Sequence, residues 1–315
     1  MIGAGALDTP LPRTPMRLPL VRRPLSLVAA LSLAACSSAR TAADEHDHPA
    51  PSGAPATGAL GAAAATGAAI APGATEVAAR VAASPRHKEW VLVGGGTPDS
   101  VRAWMVYPER STKAPVVVVI HEIFGYSDWV GAVADQLAAD GFIAIAPDFL
   151  TGKVEPNAPD SVKRRVNSTL DGPTVIRQVA AAGKYASGLP AANGKWGVVG
   201  FCWGGGRSFE TAVANPPGLG AAVVYYGTSP ASSRLSSVSV PVLGLYGGDD
   251  ARVNATVPGA DSAMKALGKS FTYRMFEGAG HGFLRQQDGR AGANLKAAQQ
   301  AWPMTVAFFR QHLGT

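Results

Sequence analysis

The chain has 315 residues and a formal charge of +6, from 28 Lys and Arg against 22 Asp and Glu. Half of that excess lies in the first 36 residues; beyond them 24 basic residues face 21 acidic ones without a basic run, which leaves no electrostatic footprint for a nucleic-acid partner. Two cysteines supply no disulfide framework, and the length beyond a low-complexity start fits one α/β domain.

The chain opens on an address. MRLPLVRRPLSLVAALSLAAC (16–36) has a basic start, an apolar stretch from Pro24 to Ala35 and small residues before Cys36. The stretch is too short to span a bilayer and has the order of an export signal. Its last tetrad, Leu33-Ala34-Ala35-Cys36, resembles the bacterial lipobox, in which the cysteine becomes the lipid-modified N-terminus of an exported lipoprotein. Residues 1–36 are therefore expected to be a signal peptide of lipoprotein type, with Met16 as an alternative start and Cys36 as the lipid attachment site. The expected location is the periplasm, with the protein tied to a membrane by its lipid.

Residues 37–85 read as a linker. Between Ala50 and Thr75 the composition is almost entirely Ala, Gly, Pro and Thr with no charge, which cannot bury enough surface to fold. Two histidines in DEHDH (44–48) read as solvated polar residues, and no metal site is expected there.

From Arg86 to Thr315 short apolar runs alternate with helical stretches, the pattern of a largely parallel sheet covered on both faces. EWVLVGG and VRAWMVY predict an opening antiparallel pair. Strands follow at 115–121, 142–149, 195–202, 221–227, 240–248 and 270–278. Helical stretches are expected at 128–139, 174–187, 204–215 and 292–312. In such sheets the chemistry gathers at the carboxyl ends of the strands.

Three strand ends carry reactive residues. The strand ending at Cys202 runs into Gly200-Phe201-Cys202-Trp203-Gly204, a GxSxG pattern with Cys in place of Ser. The flanking glycines suit a nucleophile on a strained strand-to-helix turn, and the following helix N-terminus together with a histidine is expected to draw the thiol toward thiolate. GGDD places Asp249 and Asp250 at the next end but one; spacing favours Asp250 as the acid, with Asp249 as the alternative. GAGHGF then presents His281 on a glycine-rich loop. Nucleophile, acid, histidine is the chain order of α/β-hydrolases, so the expected fold is an α/β-hydrolase with a mostly parallel sheet of about eight strands flanked by helices.

With these motifs the head, roughly Lys88 to Leu313, resembles the dienelactone hydrolases, whose nucleophile is Cys. The resemblance implies further roles. HEIFG (121–125) matches the family segment in which the glutamate, here Glu122, lies beside the thiol and takes part in its activation when substrate binds. The backbone N–H groups of Ile123 and Trp203 match the oxyanion hole, and Arg285 matches an arginine that holds a substrate carboxylate. A second substrate arginine falls in a variable stretch, where Arg164 or Arg165 is nominated. The implied activity is hydrolysis of a small ester or enol lactone, in the manner of a carboxymethylenebutenolidase, through Cys202, His281 and Asp250 and a thioester. No cofactor is expected, since no metal-ligand spacing or nucleotide loop appears, and a monomer is expected. The competing reading keeps the fold and drops the chemistry: a surface lipoprotein using the hydrolase scaffold as a binding module.

Overall fold

The computed structural model describes residues 69–155 and 157–314. The apolar runs fold as eight strands: β1 (Lys88–Val93), β2 (Val101–Val106), β3 (Ala114–Ile120), β4 (Ile143–Pro147), β5 (Ala192–Phe201), β6 (Leu219–Tyr225), β7 (Val242–Gly247) and β8 (Phe271–Phe276). They lie in the order β1-β2-β4-β3-β5-β6-β7-β8. β1 and β2 pair antiparallel, as EWVLVGG and VRAWMVY suggested; β4 also runs antiparallel to β2, and every other pair is parallel.

Eight helices accompany the strands among the described residues: α1 (Val77–Ala83), α2 (Asp128–Ala139), α3 (Asp160–Asn167), α4 (Gly172–Ser187), α5 (Trp203–Ala214), α6 (Ala251–Asn254), α7 (Val257–Ala266) and α8 (Ala293–Leu313). Because side chains alternate across a strand, each apolar run feeds two cores. Val117, Val119, Val199 and Phe201 pack with Trp129 and Val133 of α2 and Trp302 and Phe309 of α8. Val116, Val118, Ile120 and Val198 pack with Val179 of α4, Phe209 of α5 and Met264 of α7. All seven residues of β3 are buried, which explains its unbroken APVVVVI.

The linker expected to reach residue 85 ends earlier. Trp129 Nε1 donates to Pro72 O (2.9 Å), Gln287 Nε2 donates to Ala71 O (2.8 Å), and the Ala74 N–H donates to Arg285 O (2.8 Å). Ala71 is fully buried, and α1 inserts Val77 into the core beside α2. Ser84 and Arg86 both bond Asp135 of α2. Composition misjudges this strap because its main chain, not its side chains, supplies most of the contacts. The expected signal peptide, Cys36 and the linker up to residue 68 lie outside the described residues. Among those described, no helix is long and apolar enough to cross a membrane.

Candidate active site

The switch point of the sheet lies between β3 and β5. They are neighbours, paired with Ile120 opposite Gly200, yet the chain leaves β3 toward β4 on one side and continues from β5 toward β6 on the other. Loops leaving the two strand ends diverge at such a switch point and leave room for a ligand. His121, Glu122 and Ile123 follow one end; Cys202 and Trp203 follow the other.

Cys202 stands outside the strand, at the N-cap of α5, with φ 56° and ψ −115°. A non-glycine residue in this region carries backbone strain of order 1 kcal/mol or more, which the surroundings must hold in place. Two glycines make that possible. A Cβ on Gly200 would run into the carbonyl of Gly204, and one on Gly204 would run into the carbonyls of Ile120 and His121. The first turn of α5 therefore seats directly on the end of β3.

Asp250 caps α6 and is buried; its Oδ2 accepts from His281 Nδ1 at 2.5 Å. A carboxylate can only accept, so the ring proton sits on Nδ1 and Nε2 is left as the basic nitrogen. Tyr226 sets the edge-to-face packing of that ring, with centroids 5.2 Å apart. Asp249 points elsewhere: it is exposed and pairs with Arg290 at 2.9 Å.

The loop bearing His281 is tied down at both ends by one amide. Asn294, buried in the first turn of α8, accepts the Gly280 N–H at Oδ1 (3.0 Å) and donates from Nδ2 to Gln286 O (2.7 Å). The strap adds its bonds to Arg285 O and from Gln287. Arg285 and Glu122 face each other across this loop, with Nε 2.6 Å from Oε2. The N–H direction misses that oxygen, so the contact is a charge pair more than an aligned hydrogen bond. The Arg285 guanidinium also lies over the Phe124 ring, 5.3 Å from its centroid.

Burial pushes the Glu122 carboxyl above the ordinary range, and Arg285 opposes that push. The thiol departs from expectation. Burial first, and then the negative charge of Glu122, raise Cys202 to about 11, while the Trp203 backbone N–H and Arg252 pull the other way and lose. The helix N-terminus expected to make a thiolate is thus outweighed by desolvation, which favours the neutral thiol at Cys202.

The site joins Glu122 to Arg285 and Asp250 to His281 by direct contact and sets Glu122, Asp250 and the Trp203 N–H within electrostatic reach of the Cys202 thiol, while no hydrogen bond links Cys202 to His281 among the described residues. Arg164 and Arg165 lie exposed on α3 and make no ion pair among the described residues. Neither Asn294 nor Gln287 has a motif to mark it, since each acts on main-chain groups brought near only by folding. Tyr226 follows a strand of buried residues and is distinguished only by its φ of 38°.

An eight-stranded sheet with a strained turn after β5, an acid after β7 and a histidine after β8 defines an α/β-hydrolase fold. The chain belongs to the dienelactone hydrolase family, whose model matches residues 101–313. A Salmonella typhimurium protein called "Putative carboxymethylenebutenolidase" is 30% identical over 232 residues, covering 69% of this chain and 84% of that one. A Bradyrhizobium protein called "Probable 2-oxo-3-(5-oxofuran-2-ylidene)propanoate lactonase" is 29% identical over 239 residues, covering 71% and 94%. The crystal structure of a "Putative Dienelactone Hydrolase" from Klebsiella pneumoniae superposes with a TM-score of 0.63 at 26% identity, covering 72% of this chain and 99% of that one. Family membership and these relatives make the protein a hydrolase acting on a small molecule.

Proposed function

We propose that the protein hydrolyses a small ester or enol lactone bearing a carboxylate, with Cys202 as nucleophile. The observation that carries this reading is the 2.5 Å Asp250–His281 pair, whose Asp250 lies within electrostatic reach of the Cys202 thiol. His281 Nε2 takes the thiol proton as sulfur attacks the carbonyl carbon, and the oxyanion meets the N–H groups of Ile123 and Trp203. Collapse expels the leaving oxygen, which receives the proton from His281 and leaves a thioester. Water, deprotonated by the same histidine, then hydrolyses the thioester and returns the thiol. Arg285, held by Glu122 when no ligand is present, is the natural counter-charge for the substrate carboxylate. A carboxylate arriving there competes with Glu122 and loosens it from its partner beside the sulfur.

The test is hydrolysis of a carboxylated enol lactone against p-nitrophenyl acetate. A preference in kcat/KM for the lactone that disappears in Arg285→Ala supports the reading; equal turnover of both by wild type and variant counts against the carboxylate role.

The resting thiol gives a second check. With Cys202 near 11 instead of the ordinary value near 9, the ligand-free enzyme at pH 8 holds about 100-fold less thiolate than a free cysteine. Iodoacetamide labelling is expected to be slow at pH 8, to rise about tenfold per pH unit and to level off only above about pH 11. Glu122→Gln removes the negative neighbour, lowers the thiol's value and speeds labelling at pH 8; a variant labelled no faster contradicts the assigned influence of Glu122.

We also propose that the protein is exported, is anchored through a lipid on Cys36 and acts as a monomer. Two or more acyl chains suffice for stable anchoring. Cys36→Ser is expected to move the protein from the detergent-rich phase of a Triton X-114 separation to the aqueous phase, and light scattering of the lipid-free form checks the monomer.

A further inference from the structure

His121 touches both residues to which the oxyanion hole is assigned, one through the carbonyl of its peptide and the other through its side chain. Its ring is fully buried and stacks on the Trp203 indole, with centroids 5.5 Å apart and planes at 16°. Phe149 packs against both rings, 5.0 Å from His121 and 6.1 Å from Trp203. Its Nδ1 lies 2.6 Å from Glu122 O, and since a carbonyl only accepts, Nδ1 is the donor. Burial holds the ring neutral, so Nε2 is a bare lone pair, and no described protein group bonds to it.

The bonded carbonyl belongs to the peptide between Glu122 and Ile123. That unit is planar and trans, so its C=O and its N–H point in opposite directions. Anchoring the Glu122 oxygen on His121 therefore aims the Ile123 N–H away from the ring, on the far side of the peptide. Were the peptide to turn over, a carbonyl would stand where the hole needs a donor. A phenylalanine would fill the same aromatic stack without burying an unbonded nitrogen, so packing alone does not explain a histidine here.

We infer that His121 is a positioning residue that locks the Glu122–Ile123 peptide in its donating orientation and braces Trp203, the bearer of the second donor. The inference rests on the thiol-hydrolase reading of Cys202. His121 touches no substrate atom; it acts through the two N–H groups. It therefore serves the charged tetrahedral species and leaves ground-state binding alone.

The test compares His121→Phe, which keeps the stack and loses the donor, with His121→Gln, whose amide can donate to the same carbonyl. With p-nitrophenyl acetate, His121→Phe is expected to lower kcat by about 10- to 100-fold with KM little changed, less than the roughly 10²- to 10³-fold loss on deleting a donor outright. Affinity for a trifluoromethyl ketone, which forms a tetrahedral adduct on the sulfur, should fall by a similar factor. Iodoacetamide alkylation, which develops no oxyanion, should proceed at the wild-type rate. His121→Gln should recover most of the lost kcat and adduct affinity. A His121→Phe protein with wild-type kcat and adduct affinity overturns the inference. So does a folded His121→Gln protein as impaired as His121→Phe, and this second arm decides the matter if the phenylalanine variant fails to fold. Failure of the parent reading looks different: wild type and Cys202→Ala would then hydrolyse the ester equally, whatever His121 does.

Discussion

Cys202→Ala is expected to fold and to lose hydrolysis of both p-nitrophenyl acetate and an enol lactone by at least about 10⁴-fold in kcat, as removal of the nucleophile does where a triad acts as a unit. Folding should survive because alanine tolerates the φ of 56° no worse than cysteine and the sulfur anchors nothing structural. The melting temperature should stay within a few degrees of wild type. Adding Asp250→Asn to the alanine variant should cost nothing further, because Asp250 acts on the sulfur only through His281, whose ring it holds. Asp250→Asn alone should lower kcat by about 10³- to 10⁴-fold, since an amide can present its N–H to Nδ1 and favour the wrong tautomer. A Cys202→Ala enzyme that keeps full activity, or an Asp250→Asn effect undiminished in its presence, sinks the thioester route.

What was legible in the chain was whatever local chemistry dictates. Apolar runs of strand length end where the sheet ends, so Cys202, Asp250 and His281 fall at the carboxyl ends of β5, β7 and β8 from sequence alone. GFCWG carries its own reason, since the turn that holds Cys202 admits no Cβ at Gly200 or Gly204. The protonation of the thiol was not legible. A helix N-terminus is visible in sequence, but the desolvation of Cys202 and the approach of Glu122 depend on α5 lying against the end of β3. The pairing of Arg285 with Glu122, 163 positions apart in the chain, is equally a product of the fold. HEIFG advertises its glutamate, whereas the work of His121 is a bond to the next residue's carbonyl, which no pattern of side chains encodes.

Composition misled most at the strap, and the strap yields the second large effect. A chain beginning at Arg86 keeps every strand but loses Pro72 O, Ala71 O and the Ala74 N–H as partners for Trp129, Gln287 and Arg285. Trp129 Nε1 is then left without its acceptor and the Gln287 amide keeps only Leu284 O, at about 1 to 3 kcal/mol for each lost bond, and the buried contacts of Ala71 and Val77 go with them. A total of about 3 to 6 kcal/mol is expected, which for a domain of this size lowers the melting temperature by roughly 10 to 20 °C relative to a chain beginning at Gly61. Catalysis should suffer as well, even where the shorter chain is folded. Arg285 O and Gln287 are part of the segment that carries His281, and without the strap that segment is held by Asn294 alone at its far end. Measured 15 °C below the shorter chain's melting point, kcat should fall by about 10-fold or more, because a loosened histidine no longer presents Nε2 to the sulfur in one geometry. Equal kcat in the two chains, with only the melting temperature changed, would confine the strap to stability. Equal values of both would show that the segment before Arg86 contributes nothing, against the hydrogen bonds that tie it to the His281 loop and α2.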